Sequence, residues 1–429
     1  MNRDVQRTSK QETGRERLAP APRRTVLIGL LPPPATGQSV SFGMLVNAFE
    51  TLSLPHRVVD ISPKNLSRMD GRFSFGRGAS FATPFLQVAR LLLGRRRQNV
   101  YLLIAQSWAG FMRDFVFITL AALGRHRLVV HLKGGNYSHF YARQSRFRQR
   151  LIRFALSRTD AILVLASCFR ELFSFVPGYE QKVRVVLNGL PLPEDLLPTE
   201  AKRLPTPPTP ESPLRILFLS NLIDSKGYLE LLEAVRILVN ERGLAISCTF
   251  CGDFMLASET TRYASVDEAR VDFLARVVHA DLENVVTWTG SISDEDKLAQ
   301  LREAHFFVLP TWYSNEGQPV SIIEALASGC CVISTRYRSI PEMLEDGRAG
   351  VLLERGIADE IAAAIESFVG DPTAYEQLSH EALAQYRNRF RQTTHLARIM
   401  PLILGDASAS RLVEDSVLQL DAAAGDGTG

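Results

Sequence analysis

Two glutamates with seven residues between them, Glu316 and Glu324, dominate the stretch NEGQPVSIIEALASG at residues 315–329. It follows the apolar run HFFVLP, so Glu316 lies just beyond a predicted strand. Pro319 suits a first helical position, where no donor is needed and φ is already helical. Gly329 suits the position just past the helix end. A strand, a loop and a short helix then place free backbone N–H groups where an anion would sit. A carboxylate beside such a site needs a chemical reason. Within the helix, Ile322, Ile323 and Leu326 can face a core, while Glu324 is either exposed or turned toward the loop.

Other residues at predicted strand ends have the same character. FLSNLIDSKG carries Asn221 and Lys226 ahead of Gly227, which opens a helix. A lysine at a helix start suits phosphate; a solvated loop lysine is the alternative. Gly37, in the loop after the first strand, lets backbone approach a ligand closely. His131 ends an apolar strand and precedes Lys133-Gly134-Gly135; His139 is the weaker of the two histidines. Arg336 and Arg338, in STRYRSIPE, are either cleft cations or solvated surface arginines. Cys248 and Cys251 form a C-x-x-C inside a buried-strand pattern, with no second pair nearby. With five cysteines in all, they read as core residues in a reducing compartment.

FLSNLIDSKG, NVVTWTGSISDEDKL, LPTWYSNEGQPVSIIEALASGCCVIST, IPEML and GRAGVLL, in that order, resemble the retaining, nucleotide-sugar-dependent glycosyltransferases of the GT-B fold. The glutamates match that family's Glu-x7-Glu motif. The similarity is clear over residues 214–368 and weaker before them. The resemblance implies that Glu324 bonds ribose hydroxyls, while Glu316 faces the donor sugar and stabilises positive charge at the anomeric carbon. It implies that Gly317, Gln318 and Pro319 line the sugar and phosphates, that Lys226 offsets leaving-diphosphate charge, and that a histidine at His131 contacts donor or acceptor. Where the family usually has Arg, this chain has Asn221, which brings no charge. Either the phosphate site is weaker, or another cation, with Arg336 and Arg338 as candidates, takes over. No cofactor beyond the nucleotide-sugar donor is implied, and no metal cluster is recognisable. The alternatives are an epimerase or phosphorylase on the same fold, or a binding protein without turnover.

These residues need a frame to hold them. At 429 residues the chain exceeds one ordinary core. Apolar runs such as TVLIGLL, NVYLLIA, LRILFLS and CVIST alternate with helical stretches, as in parallel sheets covered on both faces. The pattern predicts an α/β chain of two Rossmann-like, doubly wound domains facing across a cleft. The resemblance makes 23–196 the acceptor-binding domain and 215–385 the nucleotide-sugar-binding domain, with a proline-rich linker at 197–214. The resemblance implies that helices over 386–405 cross back to the first domain, and polar tails occupy 1–22 and 406–429.

Net charge is +3, yet residues 1–195 hold 29 Lys+Arg against 12 Asp+Glu. That basic half must meet something negative. Residues 141–158 read as one helix with arginines interleaved among Phe147, Leu151, Ile152 and Phe154. With GRRR at 94–97 they suggest contact with anionic lipid headgroups. No nucleic-acid motif accompanies the charge. No apolar run approaches the ~20 residues of a membrane span, and the start lacks an apolar leader core. The expectation is a cytoplasmic enzyme, peripheral at the inner membrane face, acting on a saccharide or lipid-linked acceptor.

Overall fold

The computed structural model describes residues 23–33, 36–62, 77–94, 96–192, 197–205, 208–257 and 262–405. Both predicted tails lie outside them. Two six-stranded parallel sheets organise the rest. The first contains β1 (Thr25–Gly29), β2 (His56–Asp60), β3 (Asn99–Ile104), β4 (Arg127–Leu132), β5 (Ala161–Val164) and β6 (Val183–Val185), in spatial order 2-1-3-4-5-6. The second contains β7 (Leu214–Leu219), β8 (Ile246–Cys251), β9 (Val286–Gly290), β10 (Phe306–Leu309), β11 (Cys331–Thr335) and β12 (Val351–Leu353), in order 12-11-10-7-8-9. Each apolar run quoted above supplies one strand. In a parallel sheet both strand faces are covered, so sequence continuity of apolar residues suffices to mark them.

Around the first sheet lie α1 (Gly37–Thr51), α2 (Arg77–Leu92), α3 (Trp108–Leu123), α4 (Tyr137–Ala142), α5 (Arg146–Leu156) and α6 (Tyr179–Lys182). Around the second lie α7 (Tyr228–Arg236), α8 (Val266–His279), α9 (Asp294–Glu303), α10 (Val320–Ala327), α11 (Ile340–Met343), α12 (Ala358–Gly370) and α13 (Pro372–Gln385). Helix starts follow local chemistry. Ser265 and Ser293 accept from the backbone N–H three residues on, and the first turns after them carry Asp267 and Glu268, or Asp294, Glu295 and Asp296. Each such cap contributes about 1 kcal/mol, and the acids favour the positive helix end.

One local expectation changes, and one element is tied down more firmly than its composition suggests. The basic stretch is not one helix: it breaks between Ala142 and Arg146, where Ser145 caps α5 by accepting from the Arg148 N–H. A serine that can bond the backbone favours a new start over continuation. The proline-rich linker is held against the second domain. Lys202 Nζ donates to the carbonyls of Leu301 and Ala304 at 2.6 and 2.5 Å, and Leu204 is buried.

Last comes α14 (Gln392–Leu404), which returns to the first sheet. Leu396, Ile399, Met400 and Ile403 recur at helical spacing and pack with Leu27, Phe42, Leu45 and Tyr101. Each such burial contributes about 1.5–3 kcal/mol at most, so this one helix fastens the chain's end to its beginning. The two crossings run side by side, with the Leu190 N–H bonded to the Phe390 carbonyl at 2.9 Å.

Candidate active site

In the second sheet the strand order reverses between β7 and β10. At such a switch point the loops beyond the strand ends part and leave a crevice for ligands. Lys226 is in the loop after β7 and Glu316 in the loop after β10. Lys226 Nζ lies 2.6 Å from Glu316 Oε2 and 5.0 Å from the Tyr313 ring centre. Both side chains are largely buried, so Lys226 is no solvated loop lysine. Thr311 and Trp312 bind the Ser225 backbone, lacing the two loops together.

Pro319 is the residue before α10 rather than its first helical member, and Gly329 follows its end with φ +68°. Glu324 is buried with Ile322, Ile323 and Leu326. Its Oε1 lies 2.8 Å from Lys297 Nζ on α9. Burial pushes the Glu324 carboxyl above its usual range, while the Lys297 ammonium pulls it back. On Lys297, burial works against the charge, and the carboxylates of Glu324 and Asp294 outweigh it, raising its pKa. Sequence reasoning missed Lys297. It stands within the NVVTWTGSISDEDKL motif, but only packing of α9 on α10 reveals its partner.

The first sheet closes over this arrangement. Gly317 lies so close to the Lys133 carbonyl that a Cβ there would collide, and the same is true of Gly135 against the Glu316 carbonyl. Gln318 Oε1 accepts from the Asn188 N–H at 2.6 Å, and Asn136 Nδ2 donates to Asn315 Oδ1 at 3.3 Å. Gly37, the first residue of α1, faces the start of α10: a Cβ on it would lie 3.0 Å from Val320 Cγ2. Gly37, Gly317, Gln318, Pro319, Glu316 and Lys226 thus gather at one place.

Other candidates go elsewhere. His131 does not reach the molecular surface. It is fully buried within β4, its Nδ1 hydrogen-bonded to the Tyr101 hydroxyl at 2.7 Å. Burial, then the charges of Lys133 and His395, hold its pKa well below the usual histidine value. The apolar strand that made it look terminal continues for one more buried residue, Leu132. Arg336 is a surface residue paired with Glu354 at 3.1 Å and Asp346 at 3.4 Å. Arg338 donates to the Gly135 carbonyl and so holds the two domains together. Asn221 is exposed in its loop, and Arg262 approaches that loop at Asp224, 2.9 Å away. His139 is exposed on α4. All five cysteines are free, four of them buried as core residues.

The resemblance read from the motifs is found independently. The family model described as glycosyl transferases group 1 matches residues 202–385. Among curated proteins, the chain is 32% identical over 155 residues to the amylovoran biosynthesis glycosyltransferase AmsK of Erwinia amylovora, covering 35% of each. It is 27% identical over 238 residues to the putative colanic acid biosynthesis glycosyltransferase WcaL of Salmonella typhimurium, covering 52% of this chain and 56% of that one. The matches thus span about a third to just over half the length of these relatives. Among solved structures, HepE of Anabaena in complex with UDP superimposes with a TM-score of 0.63 at 16% identity, over 89% of this chain and all of that one. Sucrose-phosphate synthase of Thermosynechococcus elongatus gives 0.60 at 15% identity, over 94% and 100%. The two-domain fold is that of GT-B glycosyltransferases.

Proposed function

We propose that the protein transfers a sugar from a nucleotide-sugar donor to a saccharide or lipid-linked acceptor, with retention at the anomeric carbon, in assembly of a cell-surface polysaccharide. The observation that carries this reading is the pair of buried carboxylates at the switch-point crevice, each facing a lysine. Glu324 sits on α10, against Lys297, where its second oxygen can accept from ribose hydroxyls. Glu316 sits at the loop, against Lys226. A diphosphate entering beside Lys226 would draw that ammonium to itself and release Glu316 toward the sugar. The carboxylate would then stabilise the positive charge that grows as the glycosidic bond breaks. The match to group 1 glycosyl transferases and the polysaccharide-synthesis names of AmsK and WcaL support the activity and its setting; the UDP carried by HepE supports a nucleotide donor.

The test is a thermal-shift panel of nucleoside diphosphates and nucleotide-sugars, followed by donor hydrolysis without acceptor. A ligand that binds only the folded state raises the melting point. One or more of them should stabilise the protein, and its sugar form should be turned over. Binding without turnover supports the binding-protein alternative; no binding removes the assignment.

The acceptor side is proposed to rest on an anionic membrane surface. No helix among the described residues is long and apolar enough to cross a membrane. Yet the layer formed by α2, α3 and α5 exposes Leu86, Val116, Leu123, Phe147 and Phe154, with Phe147 74% and Leu123 71% accessible. Arg148 lies 4.2 Å over the Trp108 ring and Arg158 4.1 Å over Phe154, and Arg146, Arg150 and Arg153 share α5. Basic residues near such a surface contribute about 1 kcal/mol each, and exposed Phe and Leu enter the interface. Co-sedimentation should require anionic vesicles, weaken with salt and fall when Arg146, Arg150 and Arg153 become Glu. Equal binding to neutral vesicles refutes it.

A further inference from the structure

We propose that Lys133 is the N-terminal domain's ligand for a phosphate group of the bound substrate, supplying from across the cleft the charge that Asn221 lacks. This rests on the nucleotide-sugar reading above. Lys133 is the first residue past β4, and its carbonyl touches Gly317. The side chain is buried, 8% exposed, yet its only acceptors among the described residues are neutral: Ser41 Oγ on α1 and Asn188 Oδ1, each at 2.8 Å. An ammonium has three protons to donate, and no carboxylate pairs with this one among the described residues.

Every element packed around it withholds compensation. From β3, Tyr101 is buried as a neutral phenol. From β4, His131 is held neutral. From α14, burial and the Lys133 charge bring His395 down to about 3. From the loop beyond β6, Asn188 is uncharged, and it is joined to Gln318, whose buried Nε2 has no partner among the described residues. From the opposite domain comes the Lys226–Glu316 pair, already balanced. The other cations of the region are engaged: Lys297 by Glu324 and Asp294, Arg336 by Glu354 and Asp346, Arg338 by the Gly135 carbonyl, Arg262 by Asp224. The starts of α1 and α10 also meet here, at Gly37 and Val320, and both helix ends favour negative charge. A buried ammonium with only neutral partners is incomplete until an anion arrives. Burial lowers its pKa to about 7. A phosphate oxygen beside it would raise that value, so binding near neutral pH takes up a proton.

Isothermal titration with UDP, GDP, ADP and dTDP, in two buffers of different ionisation enthalpy, tests this. At pH 8 the diphosphate that binds should take up close to one proton, and its affinity should fall about tenfold per pH unit above 7. Lys133→Met should abolish the uptake and weaken that diphosphate roughly tenfold at pH 6.5, as expected for one lost charged hydrogen bond, with the matching nucleoside unaffected. Lys133→Arg should keep the affinity and lose the pH dependence, because guanidinium stays charged. Uptake that appears only when inorganic phosphate is added to the diphosphate complex assigns the lysine to a phosphate on the acceptor. Binding with no uptake in either arm overturns the proposal and leaves the donor reading standing; no binding by any of the four overturns both.

Discussion

On the C-terminal wall of the cleft each buried acid faces a lysine, Glu316 with Lys226 and Glu324 with Lys297. On the N-terminal wall Lys133 faces Ser41 and Asn188, with neutral His131 and His395 behind it. The first wall is balanced charge, stable without ligand and ready to exchange partners. The second carries one cation without an acid. Burying a charge costs free energy unless it is paired, so the first wall can be assembled in advance, while the second is, as proposed above, completed by a substrate anion. On the proposed nucleotide-sugar reading, such a cleft favours holding a diphosphate between its two walls.

The largest expected effect comes from breaking the balanced wall. Glu316→Gln keeps shape and removes charge; kcat for sugar transfer should fall about 100-fold or more. Nucleoside diphosphate affinity should hold or tighten, since Lys226 loses its competing partner. A variant with unchanged kcat would dissolve the distinction between the walls. Glu324→Ala should act on binding instead, weakening the nucleotide by about 1–3 kcal/mol with a smaller change in kcat. Calorimetry with diphosphate against free base reads this, and equal losses for both would place Glu324 away from the ribose.

The uncompensated wall predicts a pH signature in the free protein. The pKa of Lys133 is depressed in the fold to about 7, so from about 7 up to its ordinary value near ~10.4 the unfolded chain binds more protons. Stability from this group therefore rises with pH through that window. His131 and His395 are likewise depressed, so their contribution is present above about 6.5 and is lost as pH falls below it. Melting temperature followed from pH 5 to 10 should rise on both accounts. Lys133→Met should raise it and flatten the slope above pH 7; a destabilised Met variant would mean that the amine is satisfied where it lies.

Tyr101→Phe sharpens the placement of His131. It leaves a buried imidazole nitrogen short of a partner, a loss of about 1–3 kcal/mol in stability, with kcat within about twofold of wild type. A large kcat loss without a stability change would return His131 to the chemistry. Smallest of all, Arg336→Ala should shift stability by no more than about 1 kcal/mol, as surface pairs do, and leave diphosphate binding as it was. Selective loss of diphosphate over nucleoside would bring Arg336 into the site.

Much of this protein could be read from its residues alone. Among the described residues the inner strands declare themselves as apolar runs, because a parallel strand covered on both faces favours apolar side chains throughout, while edge strands such as β2 and β9 mix in polar residues. The Glu316–Glu324 spacing and Lys226 ahead of Gly227 mark the crevice, because loop-to-helix turns impose local residue choices. α1 begins at Gly37, where Thr36 and Ser39 cap it reciprocally. Its polar first turn hid the helical period. What the sequence could not supply was which charges meet. Lys297 finds Glu324 across a helix contact, Lys133 finds Asn188 across 55 residues, and Arg338 reaches Gly135 across 203. His131 and Lys133, two residues apart, differ in fate: one is fully buried against Tyr101 and near His395 of α14, the other bonds α1 and lies beside Gly317. Local pattern fixes which face of a strand a side chain takes. Only the packing of the second domain and the returning helix decides whether that face meets lipid, solvent, another side chain or a substrate.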